Sequence, residues 1–244
     1  MTGTVPRTVR NLAAGAFGAA LAVQYVPSTV TLGQWAPFES LPGRLCRWRG
    51  RGDGVALTFD DGPSPVATPA VLDRLDRLGL RATFFALGSL VARDPDLVAE
   101  VVRRGHQVET HGYDHRHHLA RSPRWVRRDL RAAEEAMAAV GVRPRWYRPS
   151  YGQATAATLW EARRHGWETV LWSAWGREWA TDRVDEIAAR INRRLRPGAI
   201  VLLHDNDRFG RPGMWKTGLD ALDVVAEELD RRGLRVVTLE ELVA

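Results

Sequence analysis

The 244-residue sequence has one cysteine, one lysine and no apolar run long enough to cross a membrane comfortably. The single cysteine, Cys46, excludes an internal disulfide bond and leaves the redox compartment undetermined. The single lysine, Lys216, means that arginine supplies nearly all of the positive charge. Hydrophobic residues make up 45% of the chain, which is enough for the core of one sizeable domain and excludes disorder as the main state.

The positive charge is concentrated near the N-terminus. The formal net charge is +6, from 35 basic and 29 acidic residues. The first 52 residues contain six arginines and one acid, Glu39, whereas the rest has 29 basic and 28 acidic residues. A nearly neutral domain argues against a nucleic-acid partner, because such partners select a basic face. The excess of positive charge near the N-terminus is instead typical of a segment beside a membrane or cell surface.

The start of the chain has the pattern of a secretory signal. Two arginines precede an uncharged apolar run from Leu12 to Val26, which is short for a membrane-spanning helix. Within it, Ala20-Leu21-Ala22 matches the small-x-small pattern that signal peptidases cleave. Cleavage after Ala22 and retention as an uncleaved anchor both fit this pattern.

The sequence therefore divides into three parts. Residues 1–26 are predicted to be a signal peptide or membrane anchor, and residues 27–53, with several Pro, Gly and Arg, a linker. Residues 54–244 are predicted to form the folded domain. We expect this domain outside the cytoplasm, either secreted or anchored to the outer face of the cell membrane.

From residue 55 onward, short β-branched or aromatic runs alternate with amphipathic segments. The seven predicted strands are Val55–Phe59, Ala82–Leu87, His106–His111, Arg145–Arg148, Thr169–Ser173, Ala199–His204 and Leu234–Thr238. Capping residues mark helices between them, as at Ser122-Pro123, where one begins, and Gly141, where it ends. Repeated strand and helix units predict an α/β fold with a parallel sheet, either closed as a barrel or open and doubly wound.

Polar residues follow the predicted strands at their carboxyl ends. In the stretch ALTFDDGPSP, Asp60 and Asp61 come directly after the first strand. An ordinary turn is the simpler interpretation, since Asp-Gly and Gly-Pro are common turn dipeptides. However, His111, Arg148 and His204 end three other strands, and in a parallel α/β barrel these ends meet on one face. The pattern favours an active site there.

The stretch THGYDHRHH indicates a metal site. His111 and His115 are four residues apart, so one helical turn would place both imidazoles on the same side. The neighbouring His117 and His118 are expected to be solvated. A carboxylate from the end of the first strand would complete a set of two histidines and one acid. Such a set leaves open positions for water and substrate, as a hydrolytic metal centre requires.

Five short blocks resemble the polysaccharide deacetylase family, also called carbohydrate esterase family 4 or the NodB homology domain. The blocks are TFDDGP, HGYDH, RPSYG, WSAWGREW and LLH, in this order within residues 55–205. The resemblance implies a distorted (β/α)7 TIM-like barrel, which agrees with the seven strands counted above. It also implies a metal-dependent hydrolase that removes N-acetyl groups from an N-acetylglucosamine-containing glycan such as peptidoglycan or a chitin-like oligomer.

The resemblance assigns the two acids different roles. Asp60 matches the family's catalytic base, and Asp61 matches a metal ligand that acts with His111 and His115. The implied cofactor is a divalent metal ion, Zn²⁺ first, with Co²⁺ or Ni²⁺ as alternatives. One carboxylate would hold the cation while the other takes a proton from water.

The remaining blocks supply the other implied catalytic residues. Arg148 matches the arginine that holds the base, Tyr151 the residue whose backbone N–H helps to bind the oxyanion, and His204 the acid. Glu178 stands where an Asp normally partners the acid histidine. It can still accept a hydrogen bond from an imidazole, although its extra methylene changes the reach.

Other positions depart from the family or suggest substrate contacts. Gly112 stands where Ser or Thr is usual, and Trp175 where Asp is usual. Trp175 and Trp179, together with Tyr151, are the predicted substrate-binding residues, because flat aromatic faces can stack on sugar rings. Trp172 lies within a predicted strand, which favours core packing.

Other functions remain open from the sequence. The same barrel would suit an O-acetyl esterase, a non-sugar amidase or a catalytically degenerate surface glycan-binding protein. Acetate or amine release from chitooligomers and acetylxylan with added Zn²⁺ or Co²⁺ would separate them. An acetylated glycan is the expected partner, with membrane association through the N-terminal segment. No nucleic-acid partner is expected, and no oligomeric state is predicted.

Overall fold

The computed structural model describes residues 46–47 and 49–243, so the predicted signal or anchor segment lies outside the described residues. The strands are β1 (Val55–Asp60), β2 (Thr83–Ala86), β3 (Gln107–Thr110), β4 (Trp146–Tyr147), β5 (Glu168–Thr169), β6 (Ala174–Trp175), β7 (Ile200–His204) and β8 (Val236–Val237). The α-helices are α1 (Ala67–Leu78), α2 (Gly88–Val91), α3 (Pro95–Arg103), α4 (Pro123–Ala139), α5 (Ala156–Arg164), α6 (Val184–Asn192), α7 (Met214–Arg231) and α8 (Leu239–Val243).

The strands form a single parallel sheet. Its order is β5-β4-β3-β2-β1-β7-β6, and β8 pairs with the start of β1. Every strand pair is parallel. Among the described residues no ladder joins β5 to β6, so the sheet curls into an incompletely closed barrel. The α/β class with parallel strands is confirmed.

The fifth predicted strand, Thr169–Ser173, is instead mostly the connection between two short strands. β5 ends at its first residue and pairs with β4, whereas β6 begins just after its last residue and pairs with β7. The chain changes partners in between, since the Leu171 N–H donates to the Arg47 carbonyl (2.7 Å) and the Ser173 N–H to the Ile200 carbonyl (2.9 Å). The segment therefore crosses from one edge of the sheet to the other.

The described part of the predicted linker packs on the barrel. Cys46 is buried, and Arg47 pairs with Val170 in parallel fashion. Arg49 pairs with Ala199, next to β7. This short stretch thus lies between the two sides of the open sheet and helps to cover the gap. The domain boundary at residue 54 stays a prediction.

Alternation along the strands places the polar residues of β1 inside the barrel. Leu57 and Phe59 pack in the large cluster between the sheet and the helices. Thr58 and Asp60 alternate with them and face the interior, where both contact Arg148. The β1–β7 register pairs Asp60 with His204, so these two predicted site residues lie at the same level of the sheet.

The predicted helix ends agree with the structure. The Ser122 side chain accepts a hydrogen bond from the Trp125 N–H at the start of α4, and Gly141 follows its end with a φ of 76°. Among the described residues, none of the helices combines the length and apolar character needed to cross a membrane.

Candidate active site

A cleft of about 500 Å³ opens at the carboxyl ends of the strands. Most of the predicted site residues line it, namely Asp60, Asp61, His111, His115, Tyr151, Trp179 and His204. Arg148 and Glu178 are fully buried behind this lining. The structure therefore brings together residues that are up to 144 positions apart in the sequence.

The two adjacent acids have different partners. Asp61 has a φ of 77°, in the left-handed region that few residues other than glycine adopt. Its Oδ1 lies 3.2 Å from His115 Nε2 and 3.4 Å from His111 Nε2. Asp60 instead accepts a 2.6 Å hydrogen bond from Arg148 through Oδ1, and its Oδ2 is 3.9 Å from His111 Nε2. The backbone turn at Asp61 separates the two carboxylates.

Asp61, His111 and His115 fit a divalent cation. One ligand atom from each lies within 4.8 Å of the other two. Asp61 Oδ1 is buried and has no hydrogen-bond partner among the described residues. His111 Nδ1 lies 2.8 Å from the Arg148 carbonyl, which can only accept, so Nδ1 carries the proton and Nε2 keeps its lone pair. Two imidazole nitrogens and one carboxylate oxygen form an incomplete shell with open positions.

Electrostatics keep two of the three ligands in the state that binds a metal. Burial alone would raise the pKa of Asp61, but the imidazoles of His111, His204 and His115 lower it to about 2. Burial lowers the pKa of His115 to about 4. Burial also acts to lower the pKa of His111, but the charges of Asp60 and Asp61 raise it overall.

The helical turn predicted for the histidine pair is wrong. Residues 111–115 form a bend instead, and Gly112 has a φ of 88°. The centroids of the His111 and His115 rings are nevertheless 5.3 Å apart. The bend is held by Asp129, whose two carboxylate oxygens accept hydrogen bonds from backbone N–H groups of the bend. The Gly88 and Ser89 N–H groups at the start of α2 also donate to the carbonyls of Gly112 and Tyr113.

Arg148 holds Asp60 in place. Its guanidinium is fully buried and donates to Asp60 Oδ1 (2.6 Å), to Thr58 Oγ1 (2.8 Å) and to the Leu171 carbonyl (3.0 Å). The same group lies 3.9 Å from the centre of the Phe85 ring. These contacts fix the orientation of the Asp60 carboxylate, so that its Oδ2 points toward the cleft.

Glu178 reaches His204 despite the substitution of Glu for Asp. Its Oε1 lies 2.8 Å from His204 Nδ1, and the opposite ring nitrogen lies 4.0 Å from Asp61 Oδ2. Burial alone would lower the pKa of His204, but the charge and hydrogen bond of Glu178, with smaller effects of Asp61 and Asp60, raise it to about 9. His204 is thus a protonated group that faces the cleft at neutral pH.

Comparison with known proteins places the chain in a family. A profile described as polysaccharide deacetylase matches residues 49–170, half of the chain. A peptidoglycan-N-acetylglucosamine deacetylase of Bacillus cereus is 36% identical over 194 residues, which cover 78% of this chain and 87% of the relative. The chain belongs to the polysaccharide deacetylase family.

Two further similarities agree with this assignment. A chitooligosaccharide deacetylase of a Bradyrhizobium species is 37% identical over 199 residues, 77% of this chain and 90% of the relative. A crystal structure of a peptidoglycan N-acetylglucosamine deacetylase matches with a TM-score of 0.77 at 30% identity and covers 86% of this chain and 97% of its own. The distorted (β/α)7 barrel is confirmed, and the chain is a member of a hydrolase family of deacetylases.

The aromatic residues of this polysaccharide deacetylase family member differ from the prediction at one position. Trp179 lines the cleft edge-on to His204, with 5.6 Å between ring centroids, and Tyr151 also lines the cleft. Trp175 does not line the cleft, because its ring packs under the guanidinium of Arg194 at 4.1 Å. Trp172 lines the cleft instead, although it is 9% exposed and also belongs to a core cluster.

One aromatic residue of the cleft, Phe209, was missed by sequence reasoning. Phe209 stacks on His115, with 4.2 Å between ring centroids and 25° between planes, and Tyr151 contacts the same imidazole at 4.3 Å. His117, expected to be solvated, stacks on Tyr151 at 3.6 Å although it is exposed. His118 was predicted wrongly, because it is 2% exposed. The position of Phe209 in the loop after β7, at the same edge as His204, was the available signal.

Proposed function

We propose that this member of the family is a metal-dependent deacetylase that hydrolyses N-acetyl groups on an N-acetylglucosamine-containing glycan, either peptidoglycan or a chitin-like oligomer. The observation behind the proposal is the separation of the two adjacent acids. Asp61 faces His111 and His115, whereas Asp60 is held by Arg148 with one oxygen toward the same space. The names of the relatives from Bacillus cereus and Bradyrhizobium support the substrate class.

A divalent cation on Asp61, His111 and His115, with zinc first and cobalt or nickel as alternatives, would polarise the acetyl carbonyl and make water more acidic. Asp60 is the base that takes a proton from the attacking water, because its Oδ2 faces the ligand set and is not bound by Arg148. Arg148 fixes the direction of the Asp60 carboxylate through the hydrogen bond to Oδ1. The water oxygen then bonds to the carbonyl carbon of the acetamide.

Tyr151 and His204 complete the proposed hydrolysis. The backbone N–H of Tyr151 is the proposed donor to the oxyanion. His204, protonated through its contact with Glu178, gives its proton to the amine nitrogen as the carbon–nitrogen bond breaks. The products are acetate and a free amine on the sugar. Trp179 and Tyr151 are the proposed sugar contacts at the cleft wall.

We place this activity outside the cytoplasm. The arginine-flanked apolar segment at residues 12–26 supports a secreted protein or one anchored to the outer face of the membrane. The names of the peptidoglycan-acting relatives are in line with a substrate on that side.

Substitution of Asp60 tests the division of roles between the acids. Asp60→Asn keeps the shape and removes the base, so acetate release should fall by roughly 10²- to 10⁴-fold while bound metal stays stoichiometric. Acetate release is measured with Zn²⁺ or Co²⁺, and metal content by elemental analysis. Asp61→Asn is the matched variant and should lose metal first. If Asp60→Asn loses the metal instead, the two roles are reversed.

The substrate assignment needs its own panel. Wild-type protein with added Zn²⁺ or Co²⁺ is compared on chitooligomers, peptidoglycan fragments and acetylxylan. Acetate from the first two with little from the third supports an N-deacetylase. A preference for acetylxylan would replace the proposal with an O-acetyl esterase, and metal binding without any acetate would favour a glycan-binding protein.

A further inference from the structure

Asp129 is a buried acid that none of the proposed steps uses. It lies on α4 among apolar neighbours that include Val126 and Leu130, and it is 6% exposed. Its Oδ2 accepts a hydrogen bond from the Tyr113 N–H (3.1 Å), and its Oδ1 accepts one from the Asp114 N–H (3.0 Å). Both oxygens of a buried carboxylate are therefore committed to one short stretch of backbone.

That stretch lies between the two histidines of the candidate metal site. Tyr113 and Asp114 are the second and third residues after His111, and His115 follows directly. The bend has no helical hydrogen bonding of its own to set the spacing of the imidazoles. The carboxylate takes the place of that internal bonding, because two successive N–H groups point at one fixed acceptor.

The fit between the bend and Asp129 is close. A Cβ atom built on Gly112 would lie 3.0 Å from Asp129 Oδ2, and Gly112 has a φ of 88°. A side chain at this position would therefore meet the carboxylate in a backbone conformation that already disfavours side chains. The absence of a side chain at Gly112 lets the acid approach the backbone of the bend.

Asp129 is itself held rigidly. Helix α4 packs through Val126, Leu130 and Ala133 in a buried cluster that also contains Tyr147. On its other side, Asp129 Oδ2 lies 3.8 Å from Nε2 of the buried His118. The carboxylate that holds the bend is therefore itself positioned by a packed helix.

We propose that Asp129 is a positioning residue that sets the spacing and direction of His111 and His115, and through them the affinity of the site for a divalent cation. This inference rests on the proposed metal-dependent function. Residues that orient metal ligands from behind typically change metal affinity by roughly 10- to 100-fold when they are replaced. Asp129 would act through the backbone of the bend, without touching the cation or the substrate.

The test is a Co²⁺ titration of the full chain without substrate. Asp129→Asn keeps the shape, but its amide nitrogen cannot accept a hydrogen bond, so one N–H of the bend loses its partner. We expect the Co²⁺ dissociation constant to rise at least about tenfold, with a changed visible spectrum of the bound ion. Acetate release should recover when Co²⁺ is raised above the new dissociation constant.

Glu161→Gln is the matched control. Glu161 is a 4% exposed carboxylate on α5 that binds Arg127 and Arg164 rather than the bend. The control should lose a similar buried charge and keep the wild-type Co²⁺ affinity and spectrum. Equal losses of affinity in the two variants would assign the effect to general destabilisation and overturn the inference.

A second variant approaches the same contact from the bend. Gly112→Ala places its Cβ against Asp129 Oδ2, so it should also raise the Co²⁺ dissociation constant and decides the question if Asp129→Asn does not fold. Wild-type affinity and spectrum in whichever variants fold would overturn the positioning role. Failure of the wild-type protein to bind Co²⁺ would instead contradict the metal-dependent function, so the two failures are distinguishable.

Discussion

At the scale of single residues, the partner of a group decides its chemistry more than its residue type does. Asp60 and Asp61 are neighbours of the same type, yet one is bound by a guanidinium and the other faces two imidazoles. Likewise, His115 and His204 both lie in the cleft, but the pKa of His115 falls to about 4 through burial, whereas Glu178 raises the pKa of His204 to about 9. Of these two histidines, His204 is therefore the one suited to donate a proton at neutral pH.

The Glu178–His204 pair leads to a prediction about the pH dependence of activity. Glu178→Gln keeps an oxygen that accepts from His204 Nδ1 but removes the negative charge that raises the pKa of His204. The pKa of His204 is then lower, so His204 loses its proton at a lower pH than in the wild-type protein. We expect the alkaline limb of the kcat/KM profile to move down by at least about one pH unit, because one unit corresponds to about 1.4 kcal/mol of charge interaction.

The measurement is the rate of acetate release between pH 5 and pH 10 with excess metal. Glu168→Gln, an exposed acid paired with Arg47, is the control and should leave the profile unchanged. An alkaline limb that stays in place in Glu178→Gln would remove His204 as the group that titrates there.

At the scale of elements, the loop after β7 holds the loop after β1. The Asp205 N–H donates to the Asp60 carbonyl (3.2 Å), and Asn206 Nδ2 donates to the Asp61 carbonyl (3.0 Å). Asp205 is buried below Gly62 and accepts a 2.6 Å hydrogen bond from Thr68 at the start of α1. The unusual backbone of Asp61 is thus supported by two other elements.

Gly62 is predicted to be indispensable for this arrangement. A Cβ atom there would lie 2.6 Å from Asp205 Cγ, so the turn or the Asp205 side chain must move. Gly62→Ala should lower acetate release by at least about 100-fold and weaken metal binding, because the ligand set tolerates displacements of only about 0.5 Å. Metal titration and acetate assays check this expectation.

Gly79→Ala is the control for backbone strain. Gly79 has a φ of 63° at the end of α1, but no atom lies within 4 Å of the Cβ position. Gly79→Ala should lower the free energy of unfolding by about 1 kcal/mol and leave the metal affinity unchanged. Equal effects of the two variants on metal affinity would mean that the close approach of Gly62 to Asp205 does not position the ligand set.

The elements that the sequence predicted correctly are those with local signals. Short β-branched or aromatic runs marked β1 and β7, and a Ser-Pro start with a glycine end marked α4. The split of Thr169–Ser173 had no such signal, because it depends on two partners at opposite edges of the sheet. The bend at residues 111–115 was mistaken for a helical turn for the same reason, since its hydrogen bonds come from another element.

The site was predictable where the chemistry lies at strand ends. Asp60, Asp61 and His204 follow from that rule, whereas Trp175 and Asp129 do not, because their roles depend on side-chain direction in the folded barrel. The sequence nevertheless contains a signal for Asp129, since it is an acid on the otherwise apolar face of α4.

At the scale of the whole molecule, the barrel buries carboxyl groups whose ionised form is costly. Burial raises the pKa of Asp205 from 3.8 to about 7, with added repulsion from Asp61 and Asp60, while the Thr68 hydrogen bond opposes the shift. Burial also raises the pKa of Glu109 to about 7, although three hydrogen bonds oppose the shift. Both groups bind a proton more tightly in the folded protein than in the unfolded chain.

This imbalance fixes the sign of a pH effect on stability. Between pH 3.8 and about 7, folded Asp205 holds its proton while the unfolded chain releases it. The contribution of Asp205 to the free energy of unfolding is therefore full below pH 3.8 and is lost as the pH rises toward 7. The Asp205→Asn side chain cannot ionise, so we expect this pH-dependent decrease in the free energy of unfolding to be absent in the variant.

Chemical denaturation with a metal chelator present, repeated at intervals between pH 4.5 and pH 8, measures the effect. The difference in unfolding free energy between wild type and Asp205→Asn should change in favour of the variant as the pH rises, because groups common to both proteins, such as Glu109, cancel. A difference that stays constant over this range would mean that folded Asp205 titrates as it does in the unfolded chain, so that its burial makes no pH-dependent contribution to stability.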